Sequence, residues 1–360
     1  MKTVFINNLY KPYAVGGAEE VVQKRAREAV GRGEEAVVIT WGPWQGWGSW
    51  KPRKGIEDDV LIYRFWVPNI FSYRNLSKHN MFWRLLWHKI DLFNFWSGRI
   101  IKNIIKEEKP DLLETHNLMG IGYQLGIKNK ESGVKWKHYL HDVQLVEPSG
   151  VLAWDHMKEN ILQKIYSSIM KRKFRNVNFV ISPTEFLKHF YEERDFFKYA
   201  EIQVQNSLQP SAFSLQKQKE IGDRPKFLFV GSLVKHKGLH VLMEAWENIK
   251  DKGQELHIVG SGVMKEEINT WAKTQENVSV YGRLENEKLE SVYRESDILI
   301  FPSVCIENNP TVIHEAVHYG LGIIAADTGG VREVLLDGDN SWLYIPDDVE
   351  ELIKKIRRFV

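Results

Sequence analysis

The sequence predicts an α/β protein with two Rossmann-like domains, each built on a parallel β-sheet with helices on both faces. Short β-branched runs alternate with helical patterns along the whole chain. A chain of 360 residues is also too long for one ordinary core. A polar stretch with two prolines lies between two series of strand patterns. We therefore expect an N-terminal domain at 1–206, a linker at 207–225 and a C-terminal domain at 226–360.

The expected strands follow β-branched and aromatic runs. In the first domain they are 3–9, 35–40, 59–66, 111–117, 135–141 and 179–183. In the second domain they are 226–233, 255–262, 278–284, 297–303 and 322–327. Ligands of open parallel sheets bind beyond the carboxyl ends of the strands, in a cleft that two such domains would form. We therefore expect the functional residues in the loops that follow the strands.

The composition is 43% apolar and 27% charged, which is typical of a soluble globular protein. The single cysteine, Cys305, excludes an internal disulfide and fits a reducing compartment. The chain runs from Met1 directly into a strand pattern, and no signal peptide is recognisable. We expect a cytoplasmic protein.

Three features raise the question of a membrane. Residues 1–205 carry 31 basic against 23 acidic side chains, which suits an anionic membrane or an acidic acceptor, or is simply uneven surface charge. Residues 81–101 are apolar around most of a helix, which indicates a buried helix, a membrane-interface surface or an entry for a lipid-linked acceptor. Charged side chains interrupt this run, so it is not a membrane span. The tryptophan-rich loop 41–50 is expected to pack over a neighbouring edge, or else to stack on sugars or meet a membrane.

Two glycine-containing loops follow strands and precede helices. Gly16 and Gly17 lie before a helix that should begin near Ala18, where free N–H groups form an anion site, although a plain tight turn explains them equally well. No G-x-G-x-x-G pattern is present, which argues against a nicotinamide cofactor. Lys237 lies just before a glycine and a helix, where its charge is unfavourable unless it shares an anion such as a diphosphate, or points into solvent.

The stretch 302–316, PSVCIENNPTVIHEA, is the most informative in the chain. Pro310 fits the first position of a helix with Asn308 or Asn309 as its cap, and the first-turn N–H groups can bind phosphate. Glu307 lies before this helix and Glu315 inside it, so two carboxylates can accept hydrogen bonds from sugar hydroxyls on either side of a diphosphate.

The same stretch continues into HEAVH, which matches the zinc-protease pattern H-E-x-x-H. His314 and His318 would share a helix face, and Glu315 would be the general base. No third ligand follows at the usual spacing, and a remote residue such as Glu333 has no particular claim. We therefore disfavour the zinc hypothesis.

Taken together, these residues resemble the retaining glycosyltransferases of family 4. The family's E-x7-E motif matches E307-NNPTVIH-E315, and GLGIIAADTGGVREVLLDG (320–338) is similar to the segment that follows it. VGSLVKHKG and GGAE are similar to the family's phosphate-binding loops, HIVGSG is similar to the strand after the first of these, and the similarity extends over nearly the whole chain. The resemblance implies the GT-B fold, in which two Rossmann-like domains face each other across a cleft, the first binding the acceptor and the second the donor.

The resemblance also implies roles for individual residues. Lys237, Glu307 and His141 would be catalytic, with Lys237 at the donor diphosphate, Glu307 at the transferred sugar and His141 near the reacting carbon. Further donor contacts would come from Gly16, Gly17, Gly231, Ser232, Arg283, Asn309, Thr311, Val312 and Glu315. The chain departs from the family in having Ser232 where an arginine is common and Asn308 where a glycine is usual.

We therefore expect a metal-independent, retaining hexosyltransferase that needs no cofactor. It would move a sugar from a nucleotide diphosphate sugar, such as a UDP- or GDP-sugar, to a glycan, lipid-linked or small-molecule acceptor in cell-surface polysaccharide or glycoconjugate synthesis. We expect no nucleic acid partner and allow for peripheral membrane association. Alternatives are a catalytically degenerate nucleotide-sugar-binding protein that acts as a partner or sensor, motivated by Ser232, and a GT-B epimerase or phosphorylase.

Overall fold

The computed structural model describes residues 1–14, 16–125, 133–205, 221–222, 224–249, 253–335 and 340–360. The chain forms two compact units. Unit 1 comprises Met1–Gly150, Asn160–Pro183 and Lys188–Gln205. Unit 2 comprises Val151–Glu159, Thr184–Leu187 and Asn206–Val360. Residues 207–220 and 223 of the predicted linker lie outside the described residues.

Unit 1 is built on an eight-stranded sheet. Its strands are β1 (Lys2–Ile6), β2 (Glu35–Trp41), β3 (Arg53–Glu57), β4 (Val60–Phe65), β5 (Leu112–Thr115), β6 (Lys135–Tyr139), β7 (Phe179–Ser182) and β8 (Glu201–Val204). The strand order is β3-β4-β2-β1-β5-β6-β7-β8, and every pair is parallel except β3 with β4. The helices of this part of the chain are α1 (Gly17–Gly31), α2 (Met81–Leu92), α3 (Phe95–Glu108), α4 (Ile161–Lys173) and α5 (Glu185–Glu192), the last of which has its first three residues in unit 2.

Unit 2 is built on a six-stranded sheet, parallel throughout. Its strands are β9 (Lys226–Val230), β10 (Glu255–Val259), β11 (Val278–Gly282), β12 (Ile298–Phe301), β13 (Gly322–Ala326) and β14 (Ser341–Tyr344). The strand order is β11-β10-β9-β12-β13-β14. The helices are α6 (Leu239–Glu247), α7 (Lys265–Ala272), α8 (Asn286–Glu295), α9 (Thr311–His318), α10 (Val331–Val334) and α11 (Val349–Ile356).

The sheet of unit 2 has a core on each face. Along β9, Phe227 and Phe229 belong to one buried cluster and Leu228 belongs to another. Successive side chains of a strand point to opposite faces, so the strand is covered on both sides. This burial explains why the sequence shows continuous apolar runs rather than alternation. The predicted α/β class with two parallel sheets is confirmed.

Among the described residues, three strands were not predicted, namely β3, β8 and β14. All three lie at the edge of a sheet. The side chains of β3 and β8 are mostly exposed and many are charged, as is common for edge strands. Such strands lack the buried apolar run on which the prediction depended.

The interpretation of 81–101 as one buried helix is wrong. The segment forms two helices, α2 and α3, because the side chain of Asn94 caps the second by accepting a hydrogen bond from Ser97 N at 3.0 Å. Many of its apolar side chains are exposed, including Phe82 at 67% and Phe95 at 72%. The loop at 41–50 contains a short 3-10 helix, Trp47–Trp50, and its tryptophans pack partly on one another.

Candidate functional site

The loop after β9 places Lys237 beside the chain that leaves β12. A 3-10 turn, Lys235–Lys237, ends at Gly238, whose φ is +72°. A Cβ on Gly238 would lie 1.6 Å from the carbonyl oxygen of Pro302. Only glycine permits this backbone conformation and this close approach. The glycine after Lys237 is therefore required to bring the lysine to the residues that follow β12.

Lys237 and Glu307, two of the predicted site residues, form an ion pair. Lys237 Nζ lies 2.6 Å from Glu307 Oε1, and Ser303 Oγ donates a hydrogen bond to the same oxygen at 2.6 Å. The two charged side chains are only 26% and 12% exposed. Burial works to lower the pKa of Lys237, but the negative charge of Glu307 outweighs it, and the pKa lies above its ordinary value. Lys237 is therefore a stable cation at neutral pH, with one carboxylate as its counter-ion.

Two glycines hold the backbone of Glu307. Gly330 N donates a hydrogen bond to Glu307 O at 2.7 Å. A Cβ on Gly329, whose φ is +60°, would lie 2.0 Å from that oxygen, and one on Gly330 would lie 2.3 Å from Asn308 O. In the sequence, this segment, 328–330, stands out only as part of the pattern shared with the family. Its physical role is to pack a bare backbone against the residues that present Glu307.

The helix that follows Glu307 begins one residue later than predicted. α9 starts at Thr311, and Pro310 is the N-cap residue, with φ −69° and ψ 117°. The prediction of Asn308 or Asn309 as the cap is therefore wrong. The N-cap residue makes no side-chain capping hydrogen bond, and Ile313 N donates back to Pro310 O at 3.1 Å. The N–H groups of Thr311 and Val312 belong to the first turn, which has no intrahelical acceptors and attracts negative charge.

His314 is engaged within the same loop and helix. Its Nε2 lies 2.6 Å from Asn309 Oδ1. Burial lowers the pKa of His314 to about 4, so the ring is neutral at physiological pH and Nε2 donates to the amide oxygen.

Glu333, considered above as a remote metal ligand, accepts hydrogen bonds from the N–H groups of Glu185 and Phe186 at 2.6 Å each. Among the described residues, no group of three or more His, Cys, Asp or Glu side chains is arranged to hold a metal ion.

Glu315 has a partner that the sequence did not suggest. Tyr293 Oη, on α8, donates a hydrogen bond to Glu315 Oε2 at 2.6 Å. The tyrosine is 1% exposed, and its ring stacks on Tyr319 with centroids 5.2 Å apart. Burial, together with the charge of Glu315, raises the pKa of Tyr293 above its ordinary value, so the hydroxyl remains a donor. The available signal was that a buried tyrosine hydroxyl needs a partner.

The remaining predicted donor residues of unit 2 lie at the ends of β9 and β11. Gly231 follows β9, and its N–H donates to Val259 O at 3.0 Å, so this group is used within the sheet. Ser232 is exposed, directly after it. Arg283 is exposed, directly after β11. These residues lie at the carboxyl edge of the sheet, as predicted, although the N–H of Gly231 already has an acceptor.

The first glycine loop also differs from the expectation. α1 begins at Gly17 rather than Ala18, and Gly16 N donates to Glu19 Oε2 at 2.8 Å. Glu19 is 5% exposed and lies in the first turn, where its negative charge is favourable. A carboxylate of the helix itself thus occupies part of the position that we had assigned to a phosphate.

His141 lies in unit 1 within a group of histidines. His116 Nδ1 lies 3.0 Å from His141 Nε2, and the two rings stack with centroids 5.2 Å apart. Burial lowers the pKa of His141 to about 4. Burial, with the neighbouring charges, also lowers the pKa of His116 well below its ordinary value. Both rings are therefore neutral at physiological pH, so His141 can donate or accept a hydrogen bond but carries no charge. His116 was missed as its partner, although both histidines lie near the carboxyl ends of expected strands, 111–117 and 135–141.

None of the helices in the described part of the chain is long and apolar enough to span a membrane.

Comparison with protein families assigns nearly the whole chain. Residues 15–205 match the model of Glycosyltransferase Family 4, and residues 211–360 match that of Glycosyl transferases group 1. One relative is an uncharacterised 42.6 kDa protein in the cps region of Klebsiella pneumoniae, 25% identical over 98% of this chain and 91% of its own. Another is a putative teichuronic acid biosynthesis glycosyltransferase, TuaC, of Bacillus subtilis, 24% identical over 72% of this chain and 65% of its own.

Solved structures agree in fold. Sucrose-phosphate synthase of Thermosynechococcus elongatus superposes with a TM-score of 0.69 over 99% of this chain and 89% of its own, at 17% identity. HepE of Anabaena in complex with UDP gives a TM-score of 0.67 over 99% and 89%, also at 17% identity. At these identities the likeness shows the fold alone, which is the expected GT-B arrangement of two Rossmann-like domains. With both family models matched in succession along the sequence, the chain belongs to the family 4 glycosyltransferases.

Proposed function

We propose that this glycosyltransferase moves a hexose from a nucleotide diphosphate sugar to a glycan or lipid-linked acceptor, with retention of configuration and without a metal ion. The observation that best supports this is the ion pair of Lys237 with Glu307 directly before the first turn of α9. The pair combines a cation for a diphosphate with a carboxylate for sugar hydroxyls. Retention is what the family resemblance implies.

In the proposed reaction, the bond from the sugar's anomeric carbon to the diphosphate oxygen breaks as negative charge grows on the leaving group. Lys237 and the N–H groups of Thr311 and Val312 would stabilise this charge, since donors fixed in advance act strongly in a partly buried site. The acceptor oxygen forms the new bond to the anomeric carbon. Its proton passes to an oxygen of the departing diphosphate, so no side-chain base is required.

Glu307 would exchange partners when the donor binds. In the structure its Oε1 is held by both Lys237 and Ser303. A diphosphate offers Lys237 a more highly charged partner, which leaves Glu307 to accept hydrogen bonds from the transferred sugar. Glu315, held by Tyr293, would bind the ribose hydroxyls. Arg283 and the adjacent edge of β11 would contact the base.

His141 would act on the transferred sugar as a neutral hydrogen-bonding group. Because the pKa of His141 is about 4, its ring would carry no positive charge beside the oxocarbenium-like centre at neutral pH. A neutral imidazole can orient a sugar hydroxyl without repelling the positive charge that develops at the anomeric carbon. We assign it a contact with the donor sugar and no proton transfer.

We propose that no metal ion is needed because groups of the protein can offset the negative charge of the leaving diphosphate. A lysine together with a helix N-terminus can offset much of the charge of a diphosphate. Activity that survives a chelator would agree with this proposal, and activity restored only by a divalent cation would contradict it.

The acceptor class rests on the relatives. TuaC is named for teichuronic acid biosynthesis, and WcaL of Salmonella typhimurium for colanic acid biosynthesis. By analogy, we propose a role in cell-surface polysaccharide synthesis. We also propose that the enzyme acts in the cytoplasm and associates peripherally with a membrane.

The first experiment is a thermal-shift screen over UDP-, GDP- and ADP-sugars, because a ligand that binds only the folded state raises its apparent stability. The donor so identified is then used to compare Lys237→Ala with Lys235→Ala, a change to an exposed lysine in the same turn. We expect a loss of transfer by about 10²-fold for the first variant and near wild-type transfer for the second. The anomeric configuration of the first product, read by proton NMR, tests retention.

Near wild-type transfer by Lys237→Ala would overturn the site. Binding of a donor without transfer to any acceptor of a broad panel would instead make the chain a nucleotide-sugar-binding protein.

A further inference from the structure

The solvent-facing side of α2 is apolar. Phe82, Leu85, Leu86 and Phe93 follow one another at helical spacing and are 67%, 54%, 36% and 42% exposed. The opposite side of the helix faces the core, where Trp87 is 1% exposed. A surface helix normally turns its polar residues to solvent. α2 therefore has two apolar sides, and only one of them is covered by the described residues.

The apolar surface continues beyond α2. Phe95 and Trp96, at the start of α3, are 72% and 48% exposed. The ring of Trp96 contacts that of Trp50 at 5.4 Å, and Trp50 contacts Trp44 at 5.9 Å. Trp47, the next ring at 6.0 Å from Trp44, is 85% exposed. The tryptophan loop and the two helices thus form one surface, which we call the aromatic face.

The chain that forms most of the aromatic face is strongly basic. Residues 66–106 contain seven Lys and Arg side chains and one acidic side chain. The one acid, Asp91, is 1% exposed and does not reach the surface. The basic residues are Arg74, Lys78, Arg84, Lys89, Arg99, Lys102 and Lys106. A partner of this face should therefore be both apolar and anionic.

We propose that the aromatic face binds an anionic membrane, with its tryptophans and phenylalanines at the level of the lipid headgroups. Trp and Tyr favour this boundary because one part of the ring system is apolar and another is polar. Clustered Lys and Arg side chains are attracted to anionic lipid. A second copy of this chain would bring an equally basic surface against the first, so the charge favours lipid over self-association.

α2 is too short to cross a bilayer, and its Lys89 lies among the exposed apolar residues. A helix of this kind lies in the plane of the interface with its apolar side among the acyl chains and its basic side chains near the headgroups. The inference does not depend on which sugar is transferred, or on transfer at all.

The test is flotation of the full chain with vesicles of phosphatidylcholine alone, or with about one-third phosphatidylglycerol. We expect the wild-type chain to float with the anionic vesicles and not with the neutral ones, and the bound fraction to fall in high salt. The triple variant Phe82→Ser, Leu86→Ser, Phe93→Ser should lose binding by about 10²-fold, since it removes three exposed apolar side chains. Lys78→Gln with Lys89→Gln should weaken binding by about tenfold and reduce its salt dependence.

A matched control is Tyr199→Ser. Tyr199 is 73% exposed and lies just before β8, at the other edge of the sheet from β3. We expect this variant to bind vesicles like the wild type. Donor-induced thermal shifts measured on every variant show whether the fold is retained. They report donor binding and do not depend on whether the variant floats with vesicles.

Two results would overturn the proposal. One is a wild-type chain that remains unbound and does not float with vesicles at any content of anionic lipid. The other is a concentration-dependent dimer that the triple variant dissociates while vesicle binding is unchanged, because the face would then be covered by a second copy.

Discussion

The hydrogen bond from Tyr293 to Glu315 can be removed with little other disturbance. Tyr293→Phe deletes only the hydroxyl, and the ring that stacks on Tyr319 remains. If Glu315 binds the ribose of the donor, its carboxylate must be held in position before the donor arrives. Loss of the hydroxyl should therefore weaken donor binding although no atom that touches the donor has changed.

The magnitude follows from the environment of the bond. A hydrogen bond to a charged group contributes about 1.5–3 kcal/mol. Glu315 is partly exposed, so water replaces some of what the tyrosine supplied, and we expect a net loss of about 1–2 kcal/mol. This energy corresponds to a donor KM raised by about fivefold to thirtyfold. Because the ribose contact is the same in the ground state and the transition state, kcat should change little.

The assay is steady-state transfer with varied donor, compared among the wild type, Tyr293→Phe, Tyr319→Phe and Glu315→Ala. Tyr319 provides the matched control, because its ring stacks on that of Tyr293, and the hydrogen bond from its backbone N–H to Glu315 O at 3.0 Å is kept when the residue becomes Phe. Glu315→Ala should raise KM at least as much as Tyr293→Phe. An unchanged KM in both Tyr293→Phe and Glu315→Ala would refute the ribose assignment, and a fall in kcat alone would refute the positioning role.

Three further predictions concern the scaffold. Gly330→Ala should lower the free energy of unfolding by about 1–3 kcal/mol and reduce transfer, because its Cβ would lie 2.3 Å from Asn308 O, whereas Gly31→Ala, with no atom within 4 Å, should be neutral or stabilising in the same denaturant titration. Glu333→Gln should lower the thermal midpoint by the equivalent of about 1 kcal/mol, because a full negative charge at the start of α5 is lost, and an unchanged midpoint would contradict this. Burial raises the pKa of Asp91 to about 7, so the folded state holds its proton more tightly than the unfolded state, and the contribution of Asp91 to stability falls as the pH rises from about 4 to about 7. Asp91→Asn should remove this slope and stabilise the chain at pH 8, which unfolding titrations across this pH range can check, since parallel curves for the two proteins would show the reasoning to be wrong.

The buried strands were predictable because their signal is local. Runs such as residues 298–301 are apolar on both faces, and burial in a parallel sheet leaves no other pattern. The edge strands were not predictable in this way, since β3 reads RKGIE and resembles a loop. The division of 81–101 into two helices depended on a single cap, Asn94, within an otherwise continuous apolar pattern. Hydrophobic periodicity does not report which apolar side of a helix is covered.

The site was predictable to the extent that its residues occur in motifs. Lys237 and Glu307 were both identified from the chain, but that they neutralise each other depends on a turn closed by Gly238 against Pro302. Ser303 lies within the stretch 302–316 and Tyr293 lies before it, but neither was assigned a role, since their partners are set by the packing of helices and strands. The prediction of an anion site at Gly16 and Gly17 did not take Glu19 into account, because in the sequence Glu19 is an ordinary acidic residue in the first turn of a helix.

The division of the chain into units bears on how it can be cut. Residues Val151–Glu159 belong to unit 2, where Ile306 N donates to Leu152 O at 2.8 Å and Ala153 forms an antiparallel bridge with Cys305. A fragment that ends at residue 205 would therefore carry a strand-like segment whose partners are missing. The complementary fragment would lose residues 151–159, whose backbone pairs with Cys305 and Ile306, directly before Glu307. Protease cleavage or gene truncation between the two family segments should yield pieces that are less stable apart than together, and coexpression should be needed to recover them.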